Sequence, residues 1–159
     1  MCCFSLGRIG QDSKPALPKL KTLLSDGSPE VRLCVSRAIC EIDPSSILPV
    51  SALVKDSSHP DVAIRVRAII ILGEIGMNDK RVVPAILKGC RDEHSIVRST
   101  AVRTLGKLSP TDASTISALE VLLGDEDATI RRDAESVLQM IKKRREEERK
   151  RNENKEQNQ

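Results

Sequence analysis

Two histidines, five cysteines and a regular series of arginines are the side chains from which this 159-residue chain could build a reactive or binding site. His59 and His94 both fall in short polar segments. Neither belongs to a group of cysteines and histidines at the spacing that zinc requires, and the chain contains no Gly-rich phosphate loop and no nucleophile motif. The sequence therefore predicts no catalytic residue, no metal site and no cofactor.

The cysteines are odd in number and include no Cys-x-x-Cys pair. Adjacent Cys2 and Cys3 could carry palmitate, but no basic cluster lies nearby to assist such an anchor. The other three, Cys34, Cys40 and Cys90, occupy positions that suit small helix residues. We therefore predict reduced thiols and a cytoplasmic location.

The arginines recur every 33 residues, and each follows a β-branched residue that opens an apolar helical pattern. They are Arg32, Arg65, Arg98 and Arg131. A period of this length indicates a supersecondary unit that is copied along the chain and stacked on its neighbours. Such arginines could line a ligand groove, or they could form partly buried bidentate pairs with carboxylates. We expect the structural role.

Each repeat contains two helical stretches separated by a polar turn. The first stretch begins near a proline in three of the four repeats, and a serine takes that place in the last. The second follows a pattern that is most complete in IRVRAIIILGEIG (64–76) and VRSTAVRTLGKLS (97–109). We place a half repeat at 2–10, which lacks a first helix, and full repeats at about 15–43, 46–76, 81–109 and 114–141.

Charge is distributed unevenly along the chain. Residues 142–159 carry eight Lys or Arg against five Glu, which accounts for the formal charge of +3, so residues 1–141 are neutral. A neutral body argues against binding to nucleic acid, and Phe4 as the single aromatic residue excludes a stacking platform for bases. No apolar run is long enough to span a membrane. We expect the 142–159 segment to begin as a helix and to end in disorder.

The repeated pattern resembles HEAT-like repeats, in particular those of the phycobilisome-lyase type, whose units read much like LPxLxxLLxD followed by VRxxAxxALGxIG. The resemblance covers residues 2–141 and implies an all-α, right-handed α-solenoid of about four helix pairs plus the N-terminal half repeat. It also implies a ladder of hydrogen bonds between adjacent repeats, from the arginine of one second helix to the aspartate of a turn. The predicted ladder residues are Asp26, Arg32, Arg65, Asp92, Arg98, Asp125 and Arg131.

The second repeat departs from this pattern, because His59 stands where the other turns have the ladder aspartate. Asp56 and Asp61 lie nearby but are displaced from that position. Which residue accepts the hydrogen bond of the preceding arginine is therefore left open by the sequence.

Two functions remain after these exclusions. The absence of catalytic residues favours a non-catalytic scaffold or adaptor that binds a protein partner. The resemblance implies the alternative of a bilin lyase, or a lyase-like subunit, acting on a phycobiliprotein. A scaffold should bind without turnover, whereas a lyase should change the absorbance of a bilin on its acceptor protein.

The second helices offer the candidate binding surface, because this helix usually lines the concave side of HEAT-type solenoids. In the second repeat Val66, Ile69 and Ile70 form an apolar stripe beside the expected core stripe. Arginines of the neighbouring repeats would flank it, as at many interface hot spots. The same residues could instead pack between repeats. The predicted surface comprises Leu33, Arg37, Val66, Arg67, Ile69, Ile70, Val102 and Arg103.

The N-terminal half repeat should expose apolar side chains, including Leu6 and Ile9, because it lacks a first helix. Three explanations stay open. The chain could be the C-terminal portion of a longer solenoid, it could self-associate through these residues, or its start could be misassigned.

Overall fold

The computed structural model describes residues 2–76 and 79–157, and the side chains of all of these except 2–4, 6 and 154–157. Within the described residues the chain consists of helices joined by short turns. The α-helices are α1 (Cys2–Ile9), α2 (Leu17–Leu23), α3 (Pro29–Ile42), α4 (Val50–Asp56), α5 (Val62–Ile75), α6 (Val82–Gly89), α7 (Ser95–Leu108), α8 (Ala113–Leu122) and α9 (Ala128–Gln157). A 3₁₀ segment, Gly10–Ala16, which we did not predict, connects α1 to α2.

The helices form successive pairs, and the second helices of consecutive pairs pack side by side. α3 contacts α5, α5 contacts α7, and α7 contacts α9, while α1 packs against the other side of α3. The architecture is therefore the α-solenoid predicted from the 33-residue period. α1 thus packs on α3 in the manner of a second helix.

The ends of the second helices follow from local sequence. The Ser28 hydroxyl accepts a hydrogen bond from the Val31 amide (3.4 Å) at the start of α3, and the Asp61 carboxylate accepts one from the Ala63 amide (2.7 Å) at the start of α5. α5 ends at Gly76, whose φ of 75° is readily accessible to glycine. α7 ends at Ser109, which adopts the left-handed conformation with φ of 47°.

The core runs through the solenoid as a series of equivalent positions. Ile39, Leu72, Leu105 and Leu138 are 33 residues apart and all are buried. Each such burial stabilises the fold by about 1.5–3 kcal/mol relative to an exposed side chain. Gly73 lies where α5 meets α7, and a Cβ atom there would come within 2.4 Å of a Thr104 methyl carbon. The small residues of the repeat thus set the spacing between second helices.

The last helix, α9, runs from Ala128 to Gln157. Its exposed part carries ion pairs between successive turns, since Glu146 pairs with Lys150 (3.0 Å) and Arg144 with Glu148 (3.2 Å). Disorder near the end of the 142–159 segment stays a prediction. Residues 158 and 159 lie outside the described part of the chain.

Candidate functional site

The recurring arginines join one repeat to the next. The Arg98 guanidinium donates through Nη1 to the carbonyl oxygens of Asp92 and Glu93 (both 3.0 Å) in its own turn. Its Nε and Nη2 atoms reach the Asp125 carboxylate in the next repeat at 2.7 and 3.0 Å. Arg98 is 9% exposed, so little water reaches this ion pair. Because the guanidinium binds its own turn and the next repeat, it has little accessible surface with which to contact a ligand.

Arg65 holds the equivalent position one unit earlier, but it donates to the carboxylate of the next repeat through Nη2 alone, and its buried Nε has no hydrogen-bond partner among the described residues. It donates to the carbonyl oxygens of His59 (3.0 Å) and Pro60 (2.9 Å), and its Nη2 lies 2.7 Å from Asp92 Oδ1. Burial alone would raise the pKa of Asp92, but the hydrogen bonds from Arg65 and the His94 amide outweigh burial and lower it. The pKa of Asp125 is likewise lowered, chiefly by its hydrogen bonds from Arg98. Both carboxylates are therefore charged at neutral pH.

The first rung of this ladder uses a residue displaced from the repeat position. Arg32 pairs with Asp56, with Nε at 3.1 Å from Oδ2, and the Asp56 side chain is almost fully buried. His59, at the repeat position, accepts a hydrogen bond from the Asp61 amide through Nδ1 (3.0 Å). In the other turns the ladder aspartate forms the corresponding turn bond, as when Asp92 accepts from the His94 amide. In the second repeat Asp56 therefore binds the arginine and His59 accepts the turn hydrogen bond, whereas in the third repeat Asp92 does both.

The ladder residues at the two ends lack an inter-repeat partner in the described part of the chain. The Asp26 carboxylate accepts a hydrogen bond from the Ser28 amide (2.8 Å), and among the described residues no arginine donates to it. Arg32 of the same repeat donates instead to the Asp26 carbonyl oxygen (2.7 Å). Arg131 is exposed and donates through Nη1 to the carbonyl oxygens of Asp125 (2.6 Å) and Glu126 (3.0 Å). Neither residue joins two repeats, unlike the three inner arginines.

A groove lies between the second helices α3 and α5, and we call it the α3–α5 groove. It encloses a cavity of about 360 Å³. Apolar side chains form most of its wall, and two arginines and one glutamate line it as well. The residues are Leu33, Cys34, Arg37, Ala38, Glu41, Arg67, Ile70 and Ile71.

The two arginines of the groove differ in their partners. Arg37 bridges the helices, with Nε 3.3 Å from Glu41 on α3 and Nη2 2.9 Å from Glu74 on α5. Arg67 is exposed, and among the described residues its guanidinium has neither an ion pair nor a hydrogen bond. Ile70, one turn farther along α5, is 38% exposed. The groove therefore places an uncompensated positive charge beside accessible apolar surface.

A shallower apolar surface continues from the groove toward α7. It includes Val62 and Val66 on α5 and Ile96 at the start of α7, and Arg67 borders it as well. Ile96 is 59% exposed. The accessible apolar surface of the second helices thus spans three consecutive repeats, with Arg67 near its middle.

The residues predicted for the binding surface fall into two groups. Leu33, Ile69 and Val102 are fully buried in the core between repeats. Leu33 still lines the α3–α5 groove, whereas Ile69 and Val102 do not. Arg37, Val66, Arg67, Ile70 and Arg103 keep accessible surface, and Arg103 lies on α7, where its Nε is 3.1 Å from Asp133 of α9.

Sequence reasoning also missed residues of the groove. Cys34, Ala38, Glu41 and Ile71 were not among the predicted binding residues, although they line the α3–α5 groove. The repeat contained a signal for the first of them, because Cys34 stands 33 residues before Arg67 and hence at the equivalent position on the neighbouring helix. The other three could be assigned only from the packing of α3 against α5.

The N-terminal half repeat is described in part. Ile9 is 59% exposed, as expected, and the side chains of Leu6, Cys2 and Cys3 lie outside the described residues. Among the residues that the structure describes, no group of three His, Cys, Asp or Glu side chains could hold a metal ion. No helix in that part of the chain is both long and apolar enough to cross a membrane.

Comparison with protein families agrees with this architecture. A model of HEAT repeats matches residues 50–139, and a model of the single HEAT repeat matches residues 16–45. Both models describe HEAT repeats in general, so neither supports the phycobilisome-lyase type or the bilin-lyase alternative.

Among solved structures, the chain is similar to the crystal structure of an engineered protein, with 22% identity and a TM-score of 0.59. The similarity covers 83% of this chain and 64% of the engineered one, so the chain spans just under two thirds of that structure. At this identity the likeness shows the fold alone. No curated protein matches the chain.

Proposed function

Because the chain belongs to the HEAT-repeat family, whose members generally serve as protein-interaction scaffolds, we propose that it is a non-catalytic adaptor that binds a protein partner. The partner lies on the surface of the second helices, centred on the α3–α5 groove and continuing to Ile96. Arg37, Arg67 and Ile70 are the residues of the predicted surface that we assign to the contact, and Arg103 lies at its far edge.

The observation that supports this proposal most directly is that one groove combines an apolar cavity with Arg67, an arginine that has no charged partner in the part of the chain that the structure describes. The cavity of about 360 Å³ falls within the size range of common binding pockets, roughly 300–1,000 Å³. Arginine is among the residue types enriched at the positions that contribute most to binding in protein interfaces. The inner ladder arginines Arg32, Arg65 and Arg98 do not compete for this role, because each is buried and bound to a carboxylate and to carbonyl oxygens of the solenoid itself.

The test is affinity capture with the parent protein and an Ile70→Glu variant as baits. Ile70 is partly exposed, so the substitution should leave the fold intact, and circular dichroism with urea unfolding verifies this. We expect a protein that the parent retains and Ile70→Glu loses, because the new carboxylate places a charge in the apolar wall.

The matched control is Leu48→Glu. Leu48 is 47% exposed and lies just before α4, outside the groove, so the same chemical change is made away from the proposed surface. A partner that is lost equally from both variants contradicts the assignment of the groove. If the retained protein is a phycobiliprotein and its bilin absorbance changes on incubation with the parent, the chain acts as a lyase and the adaptor proposal is wrong.

A further inference from the structure

The arginines on the surface of the second helices are not equivalent. Arg37 and Arg103 each pair with a carboxylate on the following second helix, Glu74 at 2.9 Å and Asp133 at 3.1 Å. Arg67 has no such partner among the described residues, since the positions that would correspond to Glu74 and Asp133, 37 and 30 residues further along the chain, hold Thr104 and Val97. The molecule thus neutralises the charges at the edges of the surface and leaves the central one uncompensated.

The side chains that line the groove favour one backbone conformation for a bound partner segment. An extended peptide carries a free amide and carbonyl at almost every residue, and burial without partners would cost free energy for each group. The groove has few polar side chains to offer, and Arg37 and Glu41 are already engaged with each other at 3.3 Å. A helix satisfies its own backbone groups and presents only side chains. The groove therefore favours a helical occupant.

The spacing of Arg67 and Ile70 defines a second requirement. They are three residues apart on α5, so they lie one above the other, with Cβ atoms roughly 5–6 Å apart. A helix lying along α5 would present the same spacing between residues three or four positions apart. If an aliphatic residue of the partner helix contacts Ile70, the partner residue one turn away therefore lies next to the Arg67 guanidinium.

We infer, on the basis of the proposed function, that the partner segment is an amphipathic helix with an aliphatic residue that packs on Ile70 and an Asp or Glu three or four positions away that accepts hydrogen bonds from Arg67. The helix lies along the α3–α5 groove. Its aliphatic side chains fill the cavity, whose volume of about 360 Å³ is roughly twice that of an apolar cavity able to hold a benzene molecule.

The probe is a phage-displayed library of random 16-residue peptides selected on the full chain. We expect selected sequences to share an aliphatic residue and an Asp or Glu spaced by three or four positions. Changing that acid to Gln in a synthetic peptide should weaken binding by about tenfold or more, because a charge-assisted hydrogen bond is lost. Circular dichroism of the peptide, free and bound, should show a gain of helix.

A charge exchange separates a direct contact from a general electrostatic effect. Arg67→Glu should abolish binding of the selected peptide, and a peptide with Lys in place of the acid should regain affinity for Arg67→Glu alone. Lys107→Glu is the matched control, since this lysine lies on α7, outside the α3–α5 groove, and has no partner among the described side chains. Equal effects of the two protein variants would overturn the contact with Arg67.

The outcomes also separate this inference from the proposed function. Peptides that are lost with Ile70→Glu but bind Arg67→Gln unchanged, or that bind without forming helix, overturn the inference and leave the groove as the binding surface. Peptides indifferent to Ile70→Glu, or a library without binders, overturn both. A protein that dimerises alone and becomes monomeric with Ile70→Glu shows that a second copy is the occupant, which also overturns the inference.

Discussion

The Arg32 guanidinium on α3 pairs with the carboxylate of Asp56 at the end of α4, three residues before the position that the 33-residue period indicates. His59 holds that position and supplies the turn hydrogen bond to the Asp61 amide instead. The pairing between repeats is thus preserved although the aspartate has moved. The ladder requires a carboxylate within hydrogen-bonding distance of the arginine of the preceding repeat. Asp56 at the end of α4 meets this requirement although it lies three residues earlier in the sequence.

The buried rung formed by Arg98 and Asp125 should contribute strongly to stability. Replacement of Arg98 by Gln leaves the Asp125 carboxylate buried without its counter-ion, and we expect the free energy of unfolding to fall by about 3 kcal/mol. Arg131→Gln is the matched control, because Arg131 makes the same carbonyl contacts without a carboxylate partner, and it should cost less than about 1 kcal/mol. Urea unfolding measures both, and equal losses would contradict the assignment.

The second repeat should separate the two tasks of the ladder aspartate. Asp56→Asn removes the charge that Arg32 faces, and we expect a loss of about 2 kcal/mol or more, since both side chains are buried. His59→Asn should cost below about 1 kcal/mol, because the Asn side-chain oxygen can accept the same bond from the Asp61 amide. Thermal and urea unfolding of both variants provide the comparison. A larger loss for His59→Asn would show that the histidine, not Asp56, is the more important residue here.

The ladder should make stability fall in acid. Arg98 lowers the folded-state pKa of Asp125, and Arg65, against the effect of burial, lowers that of Asp92. Because these values lie below the unfolded value of about 3.9, the stabilisation is complete above about pH 5 and is lost as pH falls through 4 toward the folded-state pKa. The urea midpoint should therefore stay level from pH 7 to 5 and then decrease.

A variant without the titrating group supplies the control for this pH dependence. Asp125→Asn is less stable at pH 7 but should lose less additional stability between pH 5 and pH 3 than the parent protein. Glu120→Gln, which changes an exposed carboxylate on α8, should leave the parent's profile unchanged. Parallel profiles for the parent and Asp125→Asn would show that the acid sensitivity arises elsewhere.

The cysteines should differ sharply in reactivity. Cys34 is exposed in the α3–α5 groove, whereas burial raises the pKa of the Cys40 and Cys90 thiols to about 12 in each case. In a protein with Cys2→Ser and Cys3→Ser, we expect a thiol-specific reagent at pH 8 to modify one thiol rapidly, and three after unfolding in urea. Rapid reaction in a Cys34→Ser version would show that the second helices open locally. A bound partner helix should slow the reaction of Cys34.

Periodicity predicted the helices well, because the alternation of apolar and polar residues is a local property of each segment. Ile39, Leu72, Leu105 and Leu138 could be assigned to the core from their 33-residue spacing alone, and all are buried. It was harder to predict from the sequence which apolar residues are buried in the core and which line the accessible groove. Ile69 and Ile70 are adjacent in the sequence, yet the first is fully buried and the second is 38% exposed.

By itself, the sequence determined the repeat, the order of the helices, the neutral body and the absence of recognisable catalytic motifs, because each is carried by residue type and spacing along the chain. Tertiary structure decided which carboxylate Arg32 meets, which arginines of the second-helix surface pair with a carboxylate of the next second helix, and which apolar side chains border the groove. These depend on the distance and angle between neighbouring second helices. That geometry follows from the packing of many side chains together, and a one-dimensional pattern does not contain it.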